Sequence, residues 1–115
     1  WFTAPFRARR PDLMARVGAM IGATPPAGYI GCCHAIPKIN VTDRLKDVRC
    51  PALVIVGEDD PGTPVEMARD IHAALPSAEL AVLCRASHLS NLEQPEEFNR
   101  ALGGFLDKLT GRSKL

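Results

Sequence analysis

The sequence has no long hydrophobic run. No apolar stretch approaches the roughly 18 residues that a helix needs to span a membrane, and no charged segment followed by an apolar one opens the chain. We therefore expect no membrane partner and no secretion signal, which favours a cytoplasmic location.

Cysteine is sparse and irregularly placed. Cys32 and Cys33 are adjacent, whereas Cys50 and Cys84 stand alone, so neither a C-x-x-C metal pattern nor a regular disulfide framework is present. Three consecutive residues cannot all face one ion, which argues against a metal at Cys32-Cys33-His34. We expect no metal site and four small, buried thiols in a reducing compartment.

The chain also lacks an excess of charge of one sign. Its 115 residues include 14 Lys and Arg against 13 Asp and Glu, and 46% of them are hydrophobic. This composition is typical of a single soluble domain and gives no reason to expect a nucleic-acid partner. A short basic stretch from Arg7 to Arg16 is open to two interpretations, a solvated helix face or a docking patch, and we favour the first.

Residues 1–41 have a helical pattern. Apolar side chains recur at intervals of three and four from Pro11 to about Ala23, which predicts an amphipathic helix, and a second helix is expected from Ala27 to Ala35. We interpret this part as a helical segment distinct from the rest of the chain.

Residues 42–115 alternate between helix and strand patterns. The apolar runs Ala52 to Val56 and Leu80 to Cys84 predict strands, the first of them buried on both faces. Between them, Thr63-Pro64-Val65-Glu66 predicts a helix start with a capping box, and Pro95 is expected to begin the last helix. The alternation indicates the α/β class with a parallel sheet. Because two strands are too few for an independent sheet, we expect the remainder of a larger protein, or a second copy, to complete it.

Candidate catalytic residues follow the two strands. Asp59 and Asp60 follow the first strand, and His88 follows the second, with one helix between them. In a parallel sheet both loops lie at the same edge, where a carboxylate can orient an imidazole as a general base.

A serine nucleophile in the expected setting is missing. The sharp turn that carries such a serine needs Gly-x-Ser-x-Gly, and none of the four serines, Ser77, Ser87, Ser90 and Ser113, has that setting. The chain also begins at Trp1 and not at a methionine. We expect it to be the C-terminal part of an enzyme whose nucleophile lies on other residues, so that this chain alone is inactive.

Two segments resemble the α/β-hydrolases. Residues 51–64 are similar to that family's penultimate strand and acid loop, and residues 87–95 to its histidine loop. Trp1-Phe2-Thr3, residues 23–29 and Cys32-Cys33 resemble, more narrowly, the 3-oxoadipate enol-lactonases of the β-ketoadipate pathway of aromatic degradation. The resemblance extends to about Leu109. It implies a helical cap in residues 1–41 and the C-terminal α/β part of the hydrolase core in residues 42–115.

The resemblance implies roles for three residues. Asp60 stands three positions after Gly57, where the family has its acid, and would orient His88 as the general base, with Asp59 as the rival acid. Trp1 falls where the family's cap meets the substrate pocket, so pocket lining and simple apolar anchoring both stay open for it. The implied reaction is hydrolysis of a small carboxylated lactone or ester, without a metal or organic cofactor.

Other functions stay open beside this one. A non-catalytic fragment or self-assembling module, stable only by exchanging elements with a second copy, is compatible with open sheet edges. A hydrolase of another ester specificity, or an enzyme of the haloperoxidase type, keeps the fold and changes the substrate.

Overall fold

The computed structural model describes residues 1–111, so Ser113 lies outside the described part of the chain. Two strands, β1 (Ala52–Gly57) and β2 (Ala78–Leu83), form the sheet, and 3-10 turns occupy Ile36–Lys38 and Thr42–Asp47. The helices are α1 (Ala4–Arg9), α2 (Pro11–Gly22), α3 (Pro26–Ala35), α4 (Val65–Ala74), α5 (Ser90–Glu93) and α6 (Pro95–Thr110). The predicted α/β class is confirmed.

Strands β1 and β2 are parallel, as predicted, and α4 connects them and packs against both. Ala52 pairs with Ala78 at one end of the ladder and Gly57 with Leu83 at the other. Pairing continues past the strands, since the N–H of Asp59 donates to the carbonyl of Ala86 at 2.9 Å. The loops that leave β1 and β2 therefore start side by side at one edge of the sheet.

The prediction that β1 is buried on both faces is wrong for this structure. Residues 52–55 are half-buried, and only Val56 and Gly57 at the end of the strand are buried. Within residues 1–111 the sheet has two strands, so β1 has a hydrogen-bonded neighbour on one side only. The buried apolar side chains are correspondingly few: Phe6, Val56, Ala68, Leu83 and Ala86.

The predicted capping box at the start of α4 is also wrong. The helix begins at Val65, Pro64 occupies the N-cap position, and no side chain among the described residues caps the helix. The Thr63 hydroxyl instead donates to the Asp60 carboxylate at 2.6 Å. A capping box would have used the Thr63 oxygen as an acceptor for a backbone N–H of the first turn. Because the helix starts at Val65, Thr63 lies one position before the N-cap, and its hydroxyl serves as a donor to an ionised carboxylate.

The two helices expected in residues 1–41 are present as α2 and α3, but the sequence pattern missed α1 and α5. These helices have six and four residues, too few for an apolar repeat to be recognised. The expectation of buried thiols is wrong as well, because all four cysteines are exposed and free. No helix within residues 1–111 has both the length and the apolarity to cross a bilayer.

Candidate active site

Asp60 and His88 meet at the edge of the sheet where β1 and β2 end. The Oδ2 atom of Asp60 lies 2.8 Å from Nδ1 of His88. Asp60 is buried, with 6% of its surface exposed, whereas 45% of the His88 side chain is exposed. The structure thus brings together the two residues predicted from the sequence, with the acid inside and the imidazole facing outward.

The acid loop surrounds the Asp60 carboxylate with donors. Oδ1 accepts the backbone N–H groups of Gly62 at 2.9 Å and Thr63 at 3.1 Å, and Oδ2 accepts the Thr63 hydroxyl and the imidazole. Burial acts to raise the pKa of Asp60, but the hydrogen bonds from the Thr63 hydroxyl, His88 and the two backbone N–H groups together outweigh it and hold the pKa well below its usual value. The carboxylate is therefore ionised at neutral pH.

An ionised Asp60 fixes how the imidazole is used. A carboxylate can only accept hydrogen bonds, so Nδ1 of His88 donates and, in the neutral ring, Nε2 carries the lone pair. No group within residues 1–111 hydrogen-bonds Nε2, and none of Ser77, Ser87 and Ser90 contacts the ring in this way. The pair is arranged to remove a proton from a group that approaches Nε2.

Asp59, the rival acid, has a different setting. Its backbone N–H pairs with the carbonyl of Ala86, while the side chain is exposed and makes no hydrogen bond within the described residues. The geometry therefore selects Asp60 over Asp59 as the partner of His88.

Gly57 allows the histidine loop to pack on the end of β1. A Cβ atom built on Gly57 would meet the carbonyl oxygens of Ala86 and Ser87 well inside contact distance. Ala86 is fully buried and Ser87 nearly so. The loop that presents His88 is thus seated directly on the backbone of β1.

Trp1 lies beside His88 and lines a largely apolar cavity. The centroids of the indole and imidazole rings are 6.2 Å apart. The cavity, of about 450 Å³, lies between α2 and the histidine loop, and Leu89 and Leu92 also line it. Of the two interpretations of Trp1, this position matches pocket lining, and direct contact with a ligand stays a prediction.

Arg16 is the only charged side chain among the described residues that lines this cavity. It forms no ion pair with any described residue, unlike Arg10, which is paired with Asp12 at 2.9 Å. An unpaired guanidinium on an apolar wall is suited to binding a carboxylate in the bidentate manner that arginine favours.

Three further residues lie at or next to the site without having been predicted for it from the sequence: Thr63, Arg16 and Glu93. Thr63 could have been found, because Asp60-Pro61-Gly62-Thr63 has the composition of a turn in which an aspartate accepts the following N–H groups. Glu93 had no such local signal, since its side chain bonds Thr3, which lies 90 positions away. Among residues 1–111, no group of three His, Cys, Asp or Glu side chains is arranged to hold a metal ion.

The fold and the arrangement of the pair are typical of one class of protein. In α/β-hydrolases, an acid after one parallel strand hydrogen-bonds a histidine that follows a later strand. The chain belongs to the alpha/beta hydrolase family, whose model matches residues 1–101. The predicted family resemblance is confirmed.

Three similar proteins illustrate this membership. Two 3-oxoadipate enol-lactonases of Acinetobacter baylyi are 31% and 34% identical over 95% and 89% of this chain, which covers 41% and 38% of their lengths. The crystal structure of the enol-lactonase from Burkholderia xenovorans LB400 superposes with a TM-score of 0.89 at 31% identity, over 92% of this chain and 40% of that one. The chain therefore spans about two fifths of the length of these relatives.

Proposed function

We propose that this chain supplies the acid–base part of a serine hydrolase that acts on a small carboxylated lactone, as a 3-oxoadipate enol-lactonase does. The observation that carries the proposal is the 2.8 Å contact between Oδ2 of Asp60 and Nδ1 of His88, in a side chain that is 45% exposed and whose Nε2 has no hydrogen-bond partner within residues 1–111. The similarity to enol-lactonases over most of the chain supports the choice of substrate class.

In the proposed mechanism, Nε2 of His88 takes the proton of a serine hydroxyl while the serine oxygen attacks the lactone carbonyl. Asp60 stabilises the imidazolium that forms. Collapse of the tetrahedral intermediate breaks the ring C–O bond, and His88 returns the proton to the leaving oxygen. His88 then deprotonates a water molecule that hydrolyses the acyl-serine and regenerates the hydroxyl. These steps need no metal or organic cofactor.

The proposal assigns the serine and the oxyanion donors to residues outside this chain. Its support is that none of the four serines lies in Gly-x-Ser-x-Gly, and that the chain spans about two fifths of its relatives' length. We accordingly propose that the 115 residues alone have no hydrolase activity. The four free thiols are compatible with the cytoplasmic location inferred from the sequence.

Arg16 and the cavity support a substrate that carries a negative charge. With the scissile carbonyl at the serine oxygen that Nε2 of His88 deprotonates, the body of a small lactone would contact Trp1, and its carboxylate would reach Arg16 across the cavity. The apolar walls would hold the hydrocarbon part, and the guanidinium would select the acid over a neutral ester.

The test joins this chain to a segment that supplies the serine elbow, such as the N-terminal part of an enol-lactonase, and measures hydrolysis of a carboxylated enol-lactone. We expect His88→Ala and Asp60→Asn to lower kcat by a factor of about 10³ or more, as removal of such residues does in serine hydrolases. Asp59→Asn is the matched control and should retain activity. A damaging Asp59→Asn with a mild Asp60→Asn would reject our choice of acid, and full activity of His88→Ala would reject the proposed function.

The substrate class is tested in the same assay by comparing the carboxylated lactone with a neutral lactone of equal ring size. Hydrogen bonds to charged groups contribute about 1.5–3 kcal/mol, so Arg16→Gln should lower kcat/KM for the acid by about 10- to 100-fold and leave the neutral substrate unaffected. Arg7→Gln, which changes an arginine outside the cavity, is the control. Equal losses on both substrates would contradict a carboxylate-binding role.

A further inference from the structure

Glu93 is a buried carboxylate outside the Asp60–His88 pair. It ends α5 and has 7% of its surface exposed. Oε1 accepts both the N–H of Thr3 at 2.9 Å and the Thr3 hydroxyl at 2.7 Å, and Oε2 accepts the N–H of Ser87. One side chain thus joins the first residues of the chain to the loop that carries the histidine.

Both partners of Glu93 flank residues of the candidate site. Thr3 is two positions from Trp1, and Ser87 directly precedes His88. A backbone hydrogen bond runs alongside, because the N–H of Leu89 donates to the carbonyl of Trp1 at 3.1 Å. Residues 1–3 and 87–89 are therefore fastened together by three hydrogen bonds to Glu93 and one to the carbonyl of Trp1. We call Glu93, Thr3 and Ser87 the Glu93 clamp.

We propose that Glu93 is a positioning residue that holds Trp1 and His88 in fixed relation, so that the wall of the cavity and the general base keep their spacing. The proposal rests on the function proposed for Asp60 and His88. Every side-chain hydrogen bond of Glu93 within residues 1–111 goes to these two segments and none to the sheet or α6. The clamp therefore acts on the site more directly than on the core.

The chemistry of the clamp requires a carboxylate. Three donors converge on the two oxygens of Glu93, and a carboxylate has acceptor sites for all of them. Glutamine has almost the same shape but turns an NH₂ group toward one of these donors, so at least one buried N–H or O–H loses its partner. A buried donor left without a partner is costly, and Glu93→Gln should loosen the contact between residues 1–3 and 87–89.

Trp1 provides a direct readout of this contact, because it is the only tryptophan in the chain. The indole and imidazole rings are 6.2 Å apart, so removing the imidazole changes the surroundings of the indole. At one fixed pH, the emission intensity of the unmodified 115-residue chain should therefore differ from that of His88→Ala. We call this the His88-dependent emission difference, and for each variant it is obtained by comparison with the same variant carrying His88→Ala.

The clamp is tested by the size of the His88-dependent emission difference in three variants. Glu93→Gln should reduce this difference at least twofold while the far-ultraviolet circular dichroism stays unchanged. Thr3→Val, which removes one of the three donors, should reduce it partly, and Thr3→Ser, which keeps that donor, should restore it. Glu97→Gln, a change of the same kind on the neighbouring helix α6, is the control and should leave the difference intact.

Several results would overturn the inference. A full His88-dependent emission difference in folded Glu93→Gln and in Thr3→Val would show that Glu93 does not hold Trp1 against His88. The absence of this difference in the unmodified chain would have the same meaning. If Glu93→Gln fails to fold, equal differences in Thr3→Val and Thr3→Ser would reject the clamp. The fluorescence measurement involves no hydrolysis. Its result therefore does not depend on whether the proposed hydrolase function is correct.

Discussion

At the scale of single residues, the site depends on how one carboxylate is surrounded. Asp60 receives four donors, three of them from the two residues Gly62 and Thr63. These four hydrogen bonds favour the ionised form of the Asp60 carboxyl group and hold the carboxylate in one orientation. The orientation of His88 follows from it, because Oδ2 is shared between the Thr63 hydroxyl and Nδ1.

The depressed pKa of Asp60 makes stability depend on pH in a defined direction. A carboxyl whose pKa is lower in the folded than in the unfolded chain stabilises the fold above its unfolded value, about 3.8, and loses that contribution as the pH falls further. The free energy of unfolding should therefore drop more steeply between about pH 4 and pH 2 in the unmodified chain than in Asp60→Asn. Denaturant melts at a series of pH values provide the measurement.

The control for this prediction is Asp12→Asn. The pKa of Asp12 is also lowered, to about 2, chiefly by its hydrogen bond with Arg10, but the pair is exposed and solvent screens its contribution. Its pH profile should stay close to that of the unmodified chain. Parallel profiles for the unmodified chain and Asp60→Asn would mean that the buried hydrogen bonds do not stabilise the carboxylate.

The residues of the pair could be chosen from sequence, but their surroundings could not. Asp60 and His88 follow apolar runs that mark consecutive parallel strands, and parallel strands end at one edge of the sheet. The turn composition of residues 60–63 points to backbone N–H groups on Asp60, but not to the Thr63 hydroxyl, whose role depends on the helix starting at Val65. Glu93 depends on contacts with Thr3 and Ser87 that no periodic pattern encodes.

At the scale of elements, strand positions were predicted to within two residues, whereas their burial was not. Alternating strand and helix patterns predicted β1, α4 and β2 in the right order and the right class. An apolar run shows what a strand would bury in a complete sheet, but it carries no information on how many neighbouring strands there are. Within residues 1–111, β1 pairs with β2 alone, and β1 is therefore half-buried.

The junction between β1 and the histidine loop can be probed at Gly57. A Cβ atom there would collide with the carbonyl groups of Ala86 and Ser87, and backbone has little room to yield. Gly57→Ala should therefore lower the free energy of unfolding by about 1–3 kcal/mol, the range for overpacked sites. Urea denaturation followed by circular dichroism gives the value.

Gly104 offers a control of opposite sign. It lies inside α6, and a methyl group added there would have no neighbouring atom of the described residues within 4 Å outside its own helix backbone. Alanine is favoured over glycine in a helix interior by about 0.5–1 kcal/mol, so Gly104→Ala should stabilise the chain. If both substitutions shift stability in the same direction, the close packing of the histidine loop on Gly57 is not what limits substitution there.

At the scale of the whole molecule, the chain is more open than its length predicts. Its radius of gyration is 16.6 Å, against about 13 Å for a compact domain of this size. Large apolar side chains are exposed along residues 1–41, among them Met20, Ile30, Ile36 and Ile39, each with at least half of its surface accessible. Exposed apolar groups in such number mark surfaces that bind other protein.

We propose that these surfaces are covered by the remainder of a hydrolase or by a second copy of the chain, and association is the last prediction. The sheet, which has two strands within residues 1–111, leaves edges unpaired and both strands largely half-buried, and unpaired edges promote strand addition. Sedimentation at micromolar concentration should find a dimer or larger species of the 12.4 kDa chain.

A second experiment separates the two partners by adding the serine-bearing part of an enol-lactonase. If the hydrolase remainder is the natural partner, the dimer or larger species should convert to a one-to-one complex. If the chain is a self-assembling module, they should stay unchanged. A compact monomer would contradict both, because helices α2 and α3 would then have to fold back over the sheet and bury the apolar side chains that are exposed here.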